Sequence, residues 1–196
     1  MRLIGMLDSP YVRRVAISLK RMGIPFTHES VSVFRHYDRF RGINPIVKAP
    51  TLVTDDGTVL MDSTLILDYA ETLVEPARRL MPAANPGRLE ALRLIGVALA
   101  AVDKCVSIVY EKERREVVDA AWMARITQQA NTGFELLERE LDPARPLDAA
   151  GIMAACAWRF SQYYDAAEVA AARFPRLVEY SRRAESTPEF ASTPLD

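Results

Sequence analysis

The spacing of hydrophobic positions changes twice along the first 75 residues. Residues 3–6 form a short apolar run typical of a buried strand, and from Val12 to Met22 apolar residues recur every three or four positions, which predicts one buried helix face. Ser9-Pro10 supplies a helix start and Gly23 a stop. A strand followed by a helix is therefore expected at the N-terminus.

The same alternation continues to residue 75. Residues 26–33 have strand-like composition, and residues 34–43 are a basic, aromatic connector without a clear period. The runs 51–54 and 58–61 flank an Asp-Gly pair, which is a strong local signal for a β-hairpin. Asp62-Ser63 then begins a second helix. The order βαβ, connector, ββα is a thioredoxin-like arrangement.

The rest of the chain has helical periodicity. Residues 76–87 are a proline-rich linker, and residues 88–196 contain four helical patterns, of which the third is capped by Asp148 and the fourth starts at Phe174-Pro175. We therefore expect an α/β N-terminal domain (residues 1–75) and an all-α C-terminal domain (residues 88–196).

Composition narrows the classes of function. A net charge of −1 gives no argument for a nucleic-acid or membrane partner. No run approaches the ~20 apolar residues that span a bilayer, and the apolar start is too short for a signal peptide, so we expect a cytoplasmic protein. Cys105 and Cys156 lie far apart in apolar helical segments. We expect two buried thiols, with neither a disulfide framework nor a metal site.

The segment NPIVKAPTL, residues 44–52, is a loop that leads into a strand. Because Ala49 precedes Pro50, its backbone is expected to be extended, and the bond between the two can be cis. An extended edge of this kind can pair with a peptide as an added strand does. The loop is therefore a candidate site for a small peptide.

Together these segments resemble the bacterial cytosolic glutathione transferases. The opening LIG…SPYVRRV (residues 3–15) is similar to the start of that family, residues 44–52 to the loop around its cis-proline, and Asp62-Ser63 to its acidic–serine pair. Residues 174–190 resemble its last helix and closing segment. Val47 stands where relatives more often have Gly, and Asp62 where many have Glu.

The resemblance implies that glutathione is bound as its thiolate and conjugated to a small hydrophobic electrophile, with glutathione as co-substrate and no metal. By resemblance Ser9 stabilises the thiolate, helped by the positive end of the first helix. Ser9 can also simply cap that helix, and the two roles are compatible because a hydroxyl both donates and accepts. A redox nucleophile would need a cysteine, and residues 6–9 contain none.

The zwitterionic γ-glutamyl end of glutathione is assigned to the second helix start. Ser63 can donate backbone and hydroxyl hydrogen bonds to its carboxylate, and Asp62 can pair with its amino group. A plain Asp/Ser helix cap without a ligand is the alternative.

The proline loop is assigned to the rest of the tripeptide. Ala49, with its geometry fixed by Pro50, is expected to pair through its backbone with the cysteinyl residue. Lys48 can meet the glycyl carboxylate, and Arg35 or His36 can share that role. For Lys48 the alternative is a solvated surface charge.

The electrophile pocket is expected between the two domains. Ser107, Tyr110, Glu111 and Arg114 follow i, i+3, i+4, i+7 spacing and predict a polar stripe on the first long C-terminal helix. Tyr110 is the best candidate for a substrate contact, and a solvated helix face is the alternative.

Three functions remain open under the resemblance. The first is a glutathione transferase, the second a transferase-like protein that binds a partner and catalyses little, and the third a glutathione-dependent isomerase, reductive dehalogenase or lyase. Ser9 favours the enzymatic functions. By resemblance we also expect a homodimer, with the linker and the first long C-terminal helix near its interface.

Overall fold

The computed structural model describes residues 1–195, which form two compact units. The first unit is Met1–Met81 together with the segment that begins at Thr187, and the second is Pro82–Ser186. The sequence predicts that the C-terminal segment belongs to the helical domain, whereas the structure groups it with the first unit.

A four-stranded sheet with the order β2-β1-β3-β4 organises the first unit. Its elements in chain order are β1 (Arg2–Ile4), α1 (Pro10–Met22), β2 (Thr27–Glu29), α2 (Tyr37–Ile43), β3 (Thr51–Val53), β4 (Val59–Met61) and α3 (Ser63–Thr72). β2 is parallel to β1, and β3 is antiparallel to both β1 and β4. This order confirms the predicted thioredoxin-like fold.

Side chains that alternate along the strands fill two layers, one on each face of the sheet. On one face, Leu3 and Leu52 pack with the apolar sides of α1 and α3. On the other, Ile4 and Val53 form a smaller cluster with Val31 and Phe40.

The second strand is shorter than the sequence predicts. It ends at Glu29, because the hydroxyl of Ser32 accepts hydrogen bonds from the N–H groups of Phe34 and Arg35 and so begins a turn. Val31 is fully buried although it lies outside the strand. The apolar residues among positions 26–33 therefore indicate which side chains are buried, but they do not indicate how far the strand extends.

The C-terminal segment packs against α1. Its short helix α8 (Pro188–Ala191) carries Phe190, whose ring lies 5.3 Å from the guanidinium of the buried Arg13. Arg13 Nε donates to the carbonyl of Thr193 at 2.8 Å, and Lys20 Nζ donates to that of Ser192 at 2.7 Å. These bonds explain why the segment from Thr187 belongs with the first unit.

The second unit is helical, as predicted. It contains α4 (Gly87–Arg114), α5 (Ala120–Glu140), α6 (Ala149–Tyr164) and α7 (Pro175–Glu185). Asp148 caps α6 by accepting from the N–H of Gly151 at 2.9 Å, and Cys105 and Cys156 are both buried, as predicted. Within residues 1–195, no helix has both the length and the apolar character needed to cross a membrane.

Candidate functional site

Three chain segments meet at one edge of the sheet. Thr51, the first residue of β3, lies opposite Ile4 at the end of β1 and opposite Met61 at the end of β4. The chain therefore leaves β1 towards Ser9, enters β3 from the proline loop, and leaves β4 towards Ser63, all at this edge. The register alone brings the three predicted contact regions together.

Gly5 allows the first two of these segments to touch. Its φ is +138°, and a Cβ placed on it would lie 2.6 Å from Cγ2 of Val12 and 3.3 Å from Cβ of Ala49. A larger residue would clash with α1. The turn after β1 is thus held against both α1 and the proline loop.

Ser9 is the N-cap of α1. Its backbone is extended, and its half-buried hydroxyl accepts from the N–H of Val12 at 3.4 Å. Accepting this bond leaves the hydroxyl proton available, so the same group can donate to a ligand. Ser9 therefore presents a donor at the positive end of a 13-residue helix.

The proline loop presents an unpaired backbone edge. The Ala49–Pro50 peptide bond is cis, in agreement with the sequence. Among residues 1–195, no backbone hydrogen bond involves the N–H or C=O of Ala49, so both groups are available to an extended ligand. Lys48 is exposed, and the lysine ion pairs of the described chain involve Lys104 and Lys112 instead.

The start of α3 holds a buried hydroxyl without a partner. Asp62 is the N-cap and accepts from the N–H of Thr64 at 2.7 Å. Ser63 is 1% exposed, and its Oγ has no hydrogen-bond partner within the described chain. Leaving a buried polar group unsatisfied costs ~1–3 kcal/mol. Because a helix N-terminus attracts anions, the arrangement suits a ligand carboxylate.

Arg35 and His36 lie in the turn before α2. Arg35 Nη2 is 3.2 Å from the sulfur of Met6, so its guanidinium lies beside the turn that follows β1. His36 Nδ1 accepts from the N–H of Ser32 at 3.2 Å. This bond stabilises the turn, a role for His36 that the sequence does not predict.

Comparison with known proteins shows which family this chain resembles. The glutathione S-transferase N-terminal domain profile matches residues 3–78. The chain is 27% identical over 198 residues to YibF, an uncharacterised glutathione S-transferase-like protein of Escherichia coli, with 98% of each chain covered. It also superposes on a glutathione S-transferase from Methylobacterium radiotolerans in complex with glutathione sulfonate (TM-score 0.89, 28% identity, 98% of this chain and 93% of that one). A second similar structure is a family member from Pseudomonas fluorescens with bound glutathione (TM-score 0.89, 26% identity, 100% and 98% covered).

Residues 3–78 thus match the N-terminal domain of the glutathione S-transferases, and the whole chain is similar to members of that family. The sequence does not predict the bracing of the proline loop. Buried Asn44 donates from Nδ2 to Oγ1 of Thr51 at 2.9 Å and accepts from the N–H of Ile46 at 3.0 Å, while Thr51 Oγ1 donates to the carbonyl of Lys48 at 2.6 Å. One feature of the sequence could have indicated this bracing: Asn44 directly follows the last residue of α2 and precedes the first residue of β3 by seven positions.

The predicted electrophile contacts lie on α4, in the second unit. Tyr110 is 44% exposed, and Arg114 is exposed at the end of the helix. Ser107 Oγ donates to the carbonyl of Asp103 at 2.8 Å, so its proton is used within the helix. Of the three, Tyr110 has the side chain best suited to contact an apolar substrate.

The predicted polar stripe on α4 is wrong at Glu111. This residue is 4% exposed, accepts from the N–H of Asp119 at 3.0 Å, and pairs with Nε of Arg115 at 3.2 Å. Glu111 thereby ties the connection between α4 and α5 to the helix. Helical spacing predicts an exposed side chain at position 111, but Asp119 and Arg115 in the connection after α4 cover Glu111.

A second buried polar group lies at the end of α6. Burial raises the pKa of Asp165 to about 7. The positive charge of Lys112 opposes this rise in pKa, and the negative charge of Glu168 adds to it. Lys112 and Glu168 form an ion pair with an N–O distance of 2.7 Å. Burial also raises the pKa of the Cys105 thiol, with the charge of Asp165 adding to the effect. Cys105 is therefore a poor nucleophile at neutral pH.

In the described chain, no three His, Cys, Asp or Glu side chains converge as metal ligands would.

Proposed function

We propose that this protein is a cytoplasmic glutathione transferase, which binds glutathione as its thiolate and transfers it to small hydrophobic electrophiles, as in detoxification. The observation that supports this most is the sheet register, in which Thr51 lies opposite both Ile4 and Met61. Similar proteins from M. radiotolerans and P. fluorescens hold glutathione sulfonate and glutathione, which supports the same ligand here.

The γ-glutamyl end binds at the start of α3. Its carboxylate accepts from the hydroxyl of Ser63, which is otherwise buried without a partner, and from backbone N–H groups of the first turn. Its amino group pairs with the exposed carboxylate of Asp62. The carboxylate and the amino group of one γ-glutamyl end thus pair with two adjacent residues, Ser63 and Asp62.

The remainder of glutathione lies along the proline loop. The cysteinyl residue pairs with the free N–H and C=O of Ala49, in a geometry fixed by Pro50. The glycyl carboxylate meets the ammonium of Lys48. The exposed guanidinium of Arg35, which lies 3.2 Å from the sulfur of Met6, is the second cation proposed for that anion. His36 has a smaller part, because its Nδ1 is engaged by Ser32.

The chemistry requires a thiolate at neutral pH, whereas an ordinary thiol has a pKa of ~8.5. The Ser9 hydroxyl donates to the bound sulfur, and a hydrogen bond to a charged group is worth ~1.5–3 kcal/mol, or roughly one to two pKa units. The positive end of α1 adds a smaller contribution. The thiolate then forms a C–S bond to the electrophile; either a leaving group departs with its electron pair, or the adduct takes a proton from solvent.

Tyr110 is the proposed contact for the electrophile, because it combines an exposed aromatic surface with a hydroxyl. Ser107 can contribute only an acceptor, since its proton is donated to Asp103. Arg114 contributes a cation at the end of α4.

We also propose that a second copy of the chain covers a groove on the second unit. The groove has a volume of about 1060 Å³ and lies between α4 and α5. Leu89 and Leu92 line it and are 65% and 49% exposed, and a Cβ added to Gly96 would meet nothing within 4 Å. A symmetric dimer is favoured because small residues beside exposed leucines let two copies of one helix approach closely.

Calorimetric titration with glutathione tests the proposal, followed by conjugation assays over several electrophiles. We expect saturable binding and conjugation of at least one electrophile. Binding without conjugation would favour a binding protein or another glutathione-dependent reaction, and the absence of binding would refute the proposed function. S-methylglutathione, whose sulfur cannot ionise, is the matched ligand: it should bind and release no proton.

A further inference from the structure

Val47 has a backbone conformation that is unusual for its residue type. Its φ is +55°, in the left-handed region, where a β-branched side chain crowds the backbone. Within residues 1–195, the other non-glycine residue with positive φ is Asp62, and both belong to the proposed glutathione site. Such conformations persist where the surroundings hold them, and they concentrate at ligand-binding sites.

Hydrophobic packing holds Val47 on one side. Its half-buried side chain packs against the cluster on the second face of the sheet. That cluster consists of Ile4, Val31, Phe40 and Val53. The N–H of Val47 also donates to the carbonyl of Asn44 at 2.9 Å, so both the side chain and the backbone are fixed.

Hydrogen bonds fix the backbone of the residues that follow Val47. The carbonyl of Lys48 accepts from Oγ1 of Thr51 at 2.6 Å, and Thr51 is in turn held by Asn44. Val47 is thus packed inwards while the next residue, Lys48, is exposed. The direction in which the lysine leaves the loop depends on the left-handed residue before it.

We propose that Val47 is a positioning residue for the glycyl end of glutathione, an inference that rests on the proposed function. By anchoring the loop in the core, Val47 presets Lys48 before the ligand arrives. Glycine adopts the same φ without strain but also many other conformations. A loop with glycine is therefore ordered only on binding, and the lost conformational freedom reduces affinity.

The test compares two ligands on three proteins. Glutathione and γ-glutamylcysteine, which lacks the glycyl carboxylate, are titrated calorimetrically into the wild type, Val47→Gly and Val47→Ile. We expect Val47→Gly to weaken glutathione binding about threefold and γ-glutamylcysteine binding less, so that the preference for glutathione falls. Val47→Ile keeps the anchor and should retain the wild-type preference. A merely structural effect would weaken both ligands alike.

The outcomes separate this inference from the proposed function. An unchanged preference in Val47→Gly would overturn the positioning role while leaving glutathione binding intact. Failure of the wild type to bind glutathione would overturn both. If Val47→Gly does not fold, as judged by circular dichroism, Val47→Ala gives the same comparison with a smaller loss of packing.

Discussion

The side-chain amide of Asn44 donates a 2.9 Å hydrogen bond to the hydroxyl of Thr51. The two residues stand at opposite ends of the proline loop, and both are buried. Asn44 also accepts from the N–H of Ile46, and Thr51 also donates to the carbonyl of Lys48. Two side chains thus fix the shape of the loop that presents Ala49.

Removing either side chain should destabilise the protein. We expect Asn44→Ala and Thr51→Val each to lower the free energy of unfolding by ~1–3 kcal/mol, because each leaves a buried polar group without its partner. Since both remove the same hydrogen bond, the double variant should lose less than the sum. Urea denaturation measures all three, and strictly additive losses would show that the two residues do not act together.

Local signals explain why most of the fold could be predicted from the sequence. The Ser9 and Asp148 caps, the Asp-Gly hairpin and the helical periodicities all act over a few residues, and the structure contains each of them. The cis bond before Pro50 was likewise indicated by its place at a strand entrance.

Long-range packing explains what could not be predicted. Arg13 is buried by contacts with Phe190 and Thr193, of which Thr193 lies 180 positions further along the chain, and no local pattern predicts such contacts. Glu111 is buried because the chain after α4 folds back to it. At the candidate site, the left-handed conformation of Val47 is unfavourable for valine itself and depends on packing against side chains from four other segments.

The C-terminal segment should contribute strongly to the stability of the first unit. Phe190 is fully buried, and we expect Phe190→Ala to lower the free energy of unfolding by ~3–5 kcal/mol through loss of apolar burial and creation of a cavity. Phe34→Ala, at a position 47% exposed, is the matched control and should change it by less than ~1 kcal/mol. Similar losses for the two variants would show that the segment does not brace α1.

The buried carboxyl group of Asp165 should make stability fall as pH rises. Its folded pKa of about 7 exceeds the unfolded value of ~3.9, so between these two pH values the folded state binds more protons than the unfolded state. This stabilisation is complete below pH ~4 and is lost as pH rises through ~7, at up to ~1.4 kcal/mol per pH unit. Asp165→Asn should remove that slope.

Chemical denaturation at several pH values between 4 and 8 measures the effect of Asp165. Asp103→Asn changes a carboxylate whose side chain is 58% exposed on α4, and it should keep the wild-type slope. An Asp165→Asn variant with the same pH dependence as the wild type would show that this carboxyl group is not the source.

The groove between α4 and α5 should set the oligomeric state. We expect Leu92→Glu to convert a dimer into a monomer in sedimentation velocity, because it introduces a charge beside its copy in a symmetric apolar interface. Val178→Glu alters an apolar residue 40% exposed on α7, outside the groove, and should remain dimeric. A wild type that is monomeric at all concentrations would contradict the proposed interface.

The pKa of the glutathione thiol in the bound state tests the central claim most directly. It can be followed by the ultraviolet absorbance of the thiolate during a pH titration of the wild type, Ser9→Ala and Ser9→Thr complexes. We predict a bound thiol pKa below the ordinary ~8.5 in the wild type and Ser9→Thr, and about one unit or more higher in Ser9→Ala, with glutathione affinity little changed. The same thiol pKa in Ser9→Ala as in the wild type would contradict the account.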